Sequence, residues 1–317
     1  MSKQTVSISP HIRSGRTTQN IMLDVIIAMM PVVIASGILF GLRAILLVAI
    51  SSAVCVLLEW GWQKLMKKEV TVQDLSAVVT GMLVAMNVPV SIPIWMLIVG
   101  DIAAIILVKQ LFGGLGCNFV NPALVGRLVM MFSFASAMTN FTGSTGLVDA
   151  ATSATPMASP WTMGGDQFMT LLLGKHGGAI GETCALAILL GGIYLIVRKV
   201  ITPVIPLCYI ASCFLFTLLF GGENPVMQVF AGGLLCGAFF MATDYVTSPI
   251  TMKGQIIFGI FTGFLTAVIR VFGSYPEGVT FAILFGNVLV PYINELTLTK
   301  PLGGIFPKKE KKEEAAS

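Results

Sequence analysis

Three groups of residues in this chain could do chemistry. The first is the run Asp149-Ala150-Ala151-Thr152-Ser153-Ala154-Thr155-Pro156, which sits in the longest polar interruption of a strongly apolar sequence. Ala150, Ala151, Ser153 and Ala154 clear space around Thr155, and Pro156 fixes the backbone just after it. A threonine held rigidly on an open surface suits the attachment of a bulky group. The second is Gly113-Gly114-Leu115-Gly116-Cys117-Asn118-Phe119-Val120-Asn121-Pro122, leading to Arg127. Glycines let backbone approach a ligand closely, Asn118 and Asn121 donate and accept hydrogen bonds, and Pro122 suits the first turn of a following helix. That helix start favours anionic or acceptor groups. Gly114, Gly116, Asn118 and Asn121 are therefore candidates for a cofactor site, although a tight turn between two helices accounts for the same residues equally well. The third group is the carboxylates inside or beside apolar runs: Asp24, Glu59, Asp101, Glu182 and Asp244. A charge at the centre of a bilayer costs about 2.5–3.5 kcal/mol on insertion scales, so each asks for a reason. Asp24, Glu59 and Glu182 lie near the ends of their runs and read as interfacial or paired. Asp101, the most central, and Asp244 are candidates for an ion path or for groups beside a cofactor.

The elements that must position these residues are membrane helices. The chain has 317 residues, of which 56% are hydrophobic and 11% charged, against about 25% charged in a soluble domain. Its mean hydropathy is +0.89. A spanning helix needs about 20 mostly apolar residues, and about ten runs approach that length: 21–40, 44–62, 76–90, 92–112, 123–138, 180–197, 201–220, 226–243, 254–272 and 280–297. The run at 76–90 is short and ends in proline. Residues 1–20 are polar and basic, and the apolar run behind them continues to full spanning length, so the first helix is expected to be its own insertion signal rather than a cleaved one.

The net charge of +4 is informative by position. Lys3, Arg13 and Arg16 precede the first run; Lys64, Lys67 and Lys68 follow the second; Lys109 and Arg127 flank the fourth and fifth. Arg198 and Lys199 follow the sixth, Lys253 the eighth, and five lysines the last. Basic residues thus fall on alternate loops, as the positive-inside rule requires. Three parts are expected: a cytoplasmic arm 1–20, a membrane domain 21–298 and a Lys/Glu-rich, solvated cytoplasmic tail 299–317. Within the membrane domain, the loop 139–179 with Thr155 lies on the extracytoplasmic side. Arg270, near the outer end of the ninth run, goes against the rule.

A weak internal repeat is visible, although chance similarity between two Gly/Ala/Met-rich helices would give the same match. Gly81 through Asn87 to Pro93 and Gly237 through Asp244 to Pro249 share one Gly-to-Pro spacing, and each is a short apolar stretch that ends in polar, Pro-broken backbone. Two inverted halves of five spans each, with paired interrupted helices, are a known way to build a site near the midplane. Backbone broken at that depth must be buried in protein or face a cavity. Five of the six cysteines lie in apolar runs without a CxxC pair and read as small packing residues. With only His11 and His176 as histidines, no haem or zinc site made wholly by this chain is expected.

The Asp149–Thr155 run resembles the recognition sequence by which a flavin transferase links FMN to threonine through a phosphoester. Asp149, Thr152, Ser153, Ala154 and Thr155 stand at the pattern positions, with Ser153 where many members have glycine. Membrane subunits of the RnfD and NqrB family carry this motif. The resemblance extends to Ser9-Pro10-His11-Ile12 at the head, Asp74-Leu75-Ser76-Ala77, the Gly-Gly-Leu-Gly…Asn-Pro-Ala turn and Thr243-Asp244, and so covers nearly the whole chain. The length is close to that of the RnfD branch, because the longer N-terminal region usual in NqrB is missing. The resemblance implies an all-α, urea-transporter-like inverted-repeat fold in a bacterial cell membrane. It further implies covalent FMN on Thr155 and a second, non-covalent flavin such as riboflavin. As partners it implies a flavin transferase and the other subunits of an ion-translocating ferredoxin:NAD oxidoreductase (Rnf) complex, carrying iron–sulfur clusters and flavins. Electrons would pass through this subunit while Na⁺ or H⁺ crosses the membrane. There is no dinucleotide-binding fingerprint and no cysteine cluster, so the chain would be one station in a relay, with lipid around it and no nucleic-acid partner. Two other readings fit the helices: a solute channel or transporter of inverted-repeat fold, and a structural membrane anchor for redox partners.

Overall fold

The computed structural model describes residues 15–141, 165–222, 224–273 and 278–298, and these form helices and connecting turns with no strand. Four helices are long and apolar enough to cross a membrane: α1 (Thr18–Phe40), α2 (Leu42–Leu65), α12 (Met252–Phe272) and α13 (Val279–Thr297). Shorter apolar helices complete the body: α3 (Ser76–Met86), α4 (Ile94–Ile102), α5 (Pro122–Ser133), α8 (Ala185–Val197) and α9 (Val204–Leu219). Four small helices are α6 (Ala135–Met138), α7 (Gly165–Leu173), α10 (Pro225–Phe230) and α11 (Leu234–Cys236). Each expected run contains helix. The long polar interruption also contains one, α7, that its composition did not announce.

Helix limits follow from local chemistry. Thr17 caps α1, its hydroxyl accepting from the Asn20 amide at 3.3 Å. Gly41, at φ +79°, lets the chain reverse directly from α1 into α2, a backbone conformation that a side chain would strain. Asn121 caps α5, with Pro122 in its first turn. Thr251 caps α12. Two helices change winding. Beyond α4 the chain continues as a π-helical stretch, Ala103–Gln110, and beyond α11 as another, Gly237–Met241. The extra residue per turn is visible in the bonds Leu111 N to Ile106 O at 3.0 Å and Ala242 N to Gly237 O at 2.7 Å.

The long helices turn apolar side chains outward. Ile38, Leu42, Leu57, Ile250 and Leu296 point outward among many exposed aliphatic side chains, while Glu59, Asp101, Lys109 and Arg127 are buried. This inversion of the usual soluble arrangement, together with the hydropathy, makes the chain a membrane protein. Inside, α2 packs on α3 and α4, α9 on α12, α1 on α8, and α12 on α13. Close approach is made possible by small residues: a Cβ on Gly259 of α12 would lie 2.7 Å from the Cys208 Cβ of α9. α3 and the α11 segment are the short ones. Eleven residues in α3 rise about 16 Å at about 1.5 Å per residue, roughly half of a hydrocarbon core about 30 Å thick.

Candidate functional site: a cavity at the ends of the short helices

The ends of α3 and the α11 segment meet, with Asn87 Nδ2 3.8 Å from Met241 Sδ. Beside them lies a cavity of about 260 Å³, walled by Thr18, Met22 and Val25 of α1, by Ser76, Thr80 and Leu83 of α3, and by Phe239 and Phe240. Lys109, Leu115, Asn118, Asn121 and the segment Thr243–Val246 close it. The turn that carries the asparagines is shaped by its glycines: Gly113, Gly114 and Gly116 have φ of +123°, +103° and +87°. The Gly114 amide donates to the Lys109 carbonyl at 2.9 Å, so the turn is welded to the end of the π-helical stretch.

Asn121 does two things. Its Oδ1 accepts from the amides of Ala123 at 3.0 Å and Leu124 at 3.4 Å, capping α5, and its Nδ2 donates to the Met241 carbonyl at 3.2 Å. Asn118 Nδ2 donates to the Val120 carbonyl at 3.1 Å and reaches Asp244 Oδ2 at 3.5 Å. The same Asp244 oxygen accepts from the Thr247 hydroxyl at 3.1 Å. One short turn therefore caps one helix and satisfies the carbonyl left open at the end of another.

Three ion pairs lie around the site, those of Glu59 and Glu182 buried and that of Asp24 made with a half-exposed Arg198. Lys109 Nζ lies 2.8 Å from Glu59 Oε2 and donates to Ser76 Oγ at 2.6 Å, while Gln110 Nε2 donates to Glu59 Oε1 at 2.9 Å. Arg127 joins Glu182 at 2.9 Å and donates to Asn87 Oδ1 at 2.8 Å, tying the end of α3 to α5 and to the chain before α8. Asp24 accepts from Arg198 at 3.1 Å and from Tyr194 at 3.1 Å. All three carboxylates expected to be interfacial or paired have cationic partners. Arg270, which goes against the positive-inside rule, is buried and donates to the carbonyls of Gln228 and Ala231 at the end of α10.

The structure thus brings Asn118, Asn121 and Asp244 to one cavity and gives Gly114 and Gly116 the shaping of the turn. Asp101 is elsewhere, in a separate cluster with Ser51 and Cys55. Asp149, Thr152, Ser153, Ala154 and Thr155 lie outside the described residues, as do Ser9-Pro10-His11-Ile12. Lys109, Ser76 and Thr80 belong to the cavity; the sequence marks Lys109 only as a flanking charge and Ser76 only within the Asp74–Ala77 string, and neither as a site residue. The available signal was charge balance: Lys109 and Arg127 flank apolar runs, and Glu59 and Glu182 are carboxylates that need partners. Cys117 is exposed in the turn, whereas the other cysteines are buried or half-buried. No group of three or more metal-ligating side chains occurs among the described residues.

Fold and cavity define an all-helical membrane protein with a largely apolar cavity, edged by a few polar side chains, at the ends of its short helices. Residues 5–303 match the model of the family described as NQR2, RnfD, RnfE, and the chain belongs to that family. It is 46% identical over 313 residues to the D subunit of the Na⁺-translocating ferredoxin:NAD⁺ oxidoreductase complex of Acetobacterium woodii, covering 97% of this chain and 98% of that one. It is 39% identical to the D subunit of the proton-translocating ferredoxin:NAD⁺ oxidoreductase complex of Clostridium ljungdahlii, covering 92% and 94%. It is 36% identical to the D subunit of the ion-translocating oxidoreductase complex of Actinobacillus succinogenes, covering 93% and 96%.

Proposed function

We propose that this chain is the D subunit of an ion-translocating ferredoxin:NAD oxidoreductase complex and relays electrons within the membrane through flavin. The observation that carries this reading is 46% identity spanning 98% of a relative that bears that name. In this reading the protein sits in a bacterial cell membrane as ten spans in two inverted halves. α3 and the α11 segment are the paired half-helices, both termini are cytoplasmic, and Thr155 is extracytoplasmic. Supporting the halves is their matched design, each with a short helix that stops at a polar residue and a carbonyl satisfied by the other half: Met86 O by Gly181 N at 2.7 Å, Met241 O by Asn121 Nδ2.

FMN is attached to Thr155 by a flavin transferase, on the strength of the Asp149–Thr155 motif. A second, non-covalent flavin occupies the cavity beside Asn118 and Asn121. Bound flavin supplies one- and two-electron transfer. The chain's own residues suit a neutral flavin such as riboflavin better than a phosphorylated one. Lys109, the cation lining the cavity, is already paired with Glu59, so among the described residues no uncommitted cation lines it to hold a phosphate. Phe239, Phe240 and Leu83 supply flat apolar walls. The partners are the other subunits of the complex, which carry iron–sulfur clusters and flavins, and Asp101 and Asp244 are the carboxylates of an ion path. A solute channel of the same architecture has no use for the Thr155 motif.

The test is in-gel flavin fluorescence of the denatured chain after co-expression with the transferase. Fluorescence is expected in the native chain and absent in Thr155→Ala. A dark native chain, with the transferase active on a control, overturns the flavoprotein reading in favour of the channel or the anchor.

A further inference from the structure

Asp101 is fully buried at the middle of three packed helices. Its Oδ1 accepts from the Ser51 hydroxyl at 2.7 Å and from the Cys55 thiol at 3.5 Å, both on α2. Its Oδ2 has no hydrogen-bonding partner. The charged groups on the packed elements are engaged elsewhere: Glu59 of α2 with Lys109 of the π-helical stretch, Arg43 of α2 with the carbonyls of Ser91 and Ile92, Lys64 of α2 over the Trp60 ring, and Arg127 of α5 with Glu182. A carboxylate without a cation is costly at this depth. The ligand that removes the charge and needs only one free oxygen is a proton. A metal cation would need a shell of oxygens, and the site offers one hydroxyl and one carbonyl besides the carboxylate.

Ser51 gives the site a second feature. Its Oγ lies 2.7 Å from Asp101 Oδ1 and 2.8 Å from the Gly81 carbonyl of α3. A hydroxyl has one hydrogen and cannot serve both acceptors fully. Here α3 lies backbone to backbone on α2: a Cβ on Gly81 would sit 2.6 Å from Ser52 Cα. The hydrogen therefore chooses between a carboxyl and the helix whose far end reaches the cavity.

We propose that Asp101 is a reversible proton-binding site, and that Ser51 reports its occupancy to α3. When Asp101 is a carboxylate, Ser51 donates to Oδ1. When Oδ2 takes a proton from the aqueous phase, Oδ1 becomes a weaker acceptor and Ser51 turns to the Gly81 carbonyl. One O–H bond forms on Oδ2, one hydrogen bond changes acceptor, and no electron moves. This deepens the ion-path reading above and rests on it for its place in transport, but the site itself is testable without flavin.

The test is infrared difference spectroscopy of the assembled complex in lipid as pH is varied, with carbodiimide labelling, which traps protonated carboxyls in apolar surroundings. A titrating protonated-carboxyl band is expected in the native complex, lost in Asp101→Asn and displaced in Ser51→Ala, which keeps the carboxyl should Asp101→Asn fail to assemble. Labelling is expected at Asp101 and to be unchanged when K⁺ is replaced by Na⁺ at constant pH. A band unaffected by both variants overturns the proposal, and so does protection by Na⁺, which would make this a sodium site. Flavin fluorescence of the same samples separates the two failures: a flavin-bearing complex without the band sinks only this inference.

Discussion

Glu59 and Asp101 both face the packed interior between α2 and the α4 helix with its π-helical continuation, about two helical turns apart along α2, yet they are treated oppositely. Glu59 is saturated: Lys109, Gln110 and Gln63 all donate to it, at 2.8, 2.9 and 3.4 Å. Asp101 has one hydroxyl, one weak thiol donor and an idle oxygen. A carboxylate enclosed by a cation and two amides is pinned by its partners and serves architecture. One given only a hydroxyl that has another acceptor within reach is free to change state. The difference lies in the donors at each position rather than in burial, which is complete for both.

The contrast can be broken most forcefully at the paired end. Lys109→Met leaves Glu59 buried without its cation, and removal of one partner of such a pair costs about 3–5 kcal/mol. We expect a large fall in the thermal midpoint of the detergent-solubilised protein, largely recovered in Lys109→Met with Glu59→Met. If the single substitution left the midpoint unmoved, the architectural role of the pair would be lost. Asn121→Ala comes next, removing a helix cap worth about 1 kcal/mol and the donor to Met241 O. It should lower the midpoint modestly; under the proposed flavin reading it should also release a non-covalent flavin while leaving covalent fluorescence in place, a split read by extracting the acid-precipitated protein. The smallest effect is expected at Asp101→Asn, which swaps an oxygen with no partner for an amide of the same shape. Its stability cost should be about 1 kcal/mol or less. A cost like that of Lys109→Met would show that Asp101 is structural and erase the contrast.

Much of this was legible in the chain. Hydropathy runs located the helices, because a bilayer about 30 Å thick demands about 20 apolar residues per crossing. Asn121 and Pro122 marked a helix start, since capping chemistry is local. Asp101 and Asp244 stood out by cost alone. What was not legible required neighbours distant in sequence. The partners of Glu59 and Glu182 lie about fifty residues away, at Lys109 and Arg127, and pairing across that distance depends on how helices pack. The π-helical stretches leave no compositional mark, because they are held by tertiary contacts.

Transfer free energy, capping and motif spacing act along the chain, and from them alone follow an all-helical membrane protein, its family and the candidate threonine. That Asn118, Asn121 and Asp244 share a cavity while Asp101 stands apart with Ser51 follows from how the helices pack. Whether a buried polar group finds a partner depends on what the opposing helix presents at that depth, and no local property of the chain specifies it.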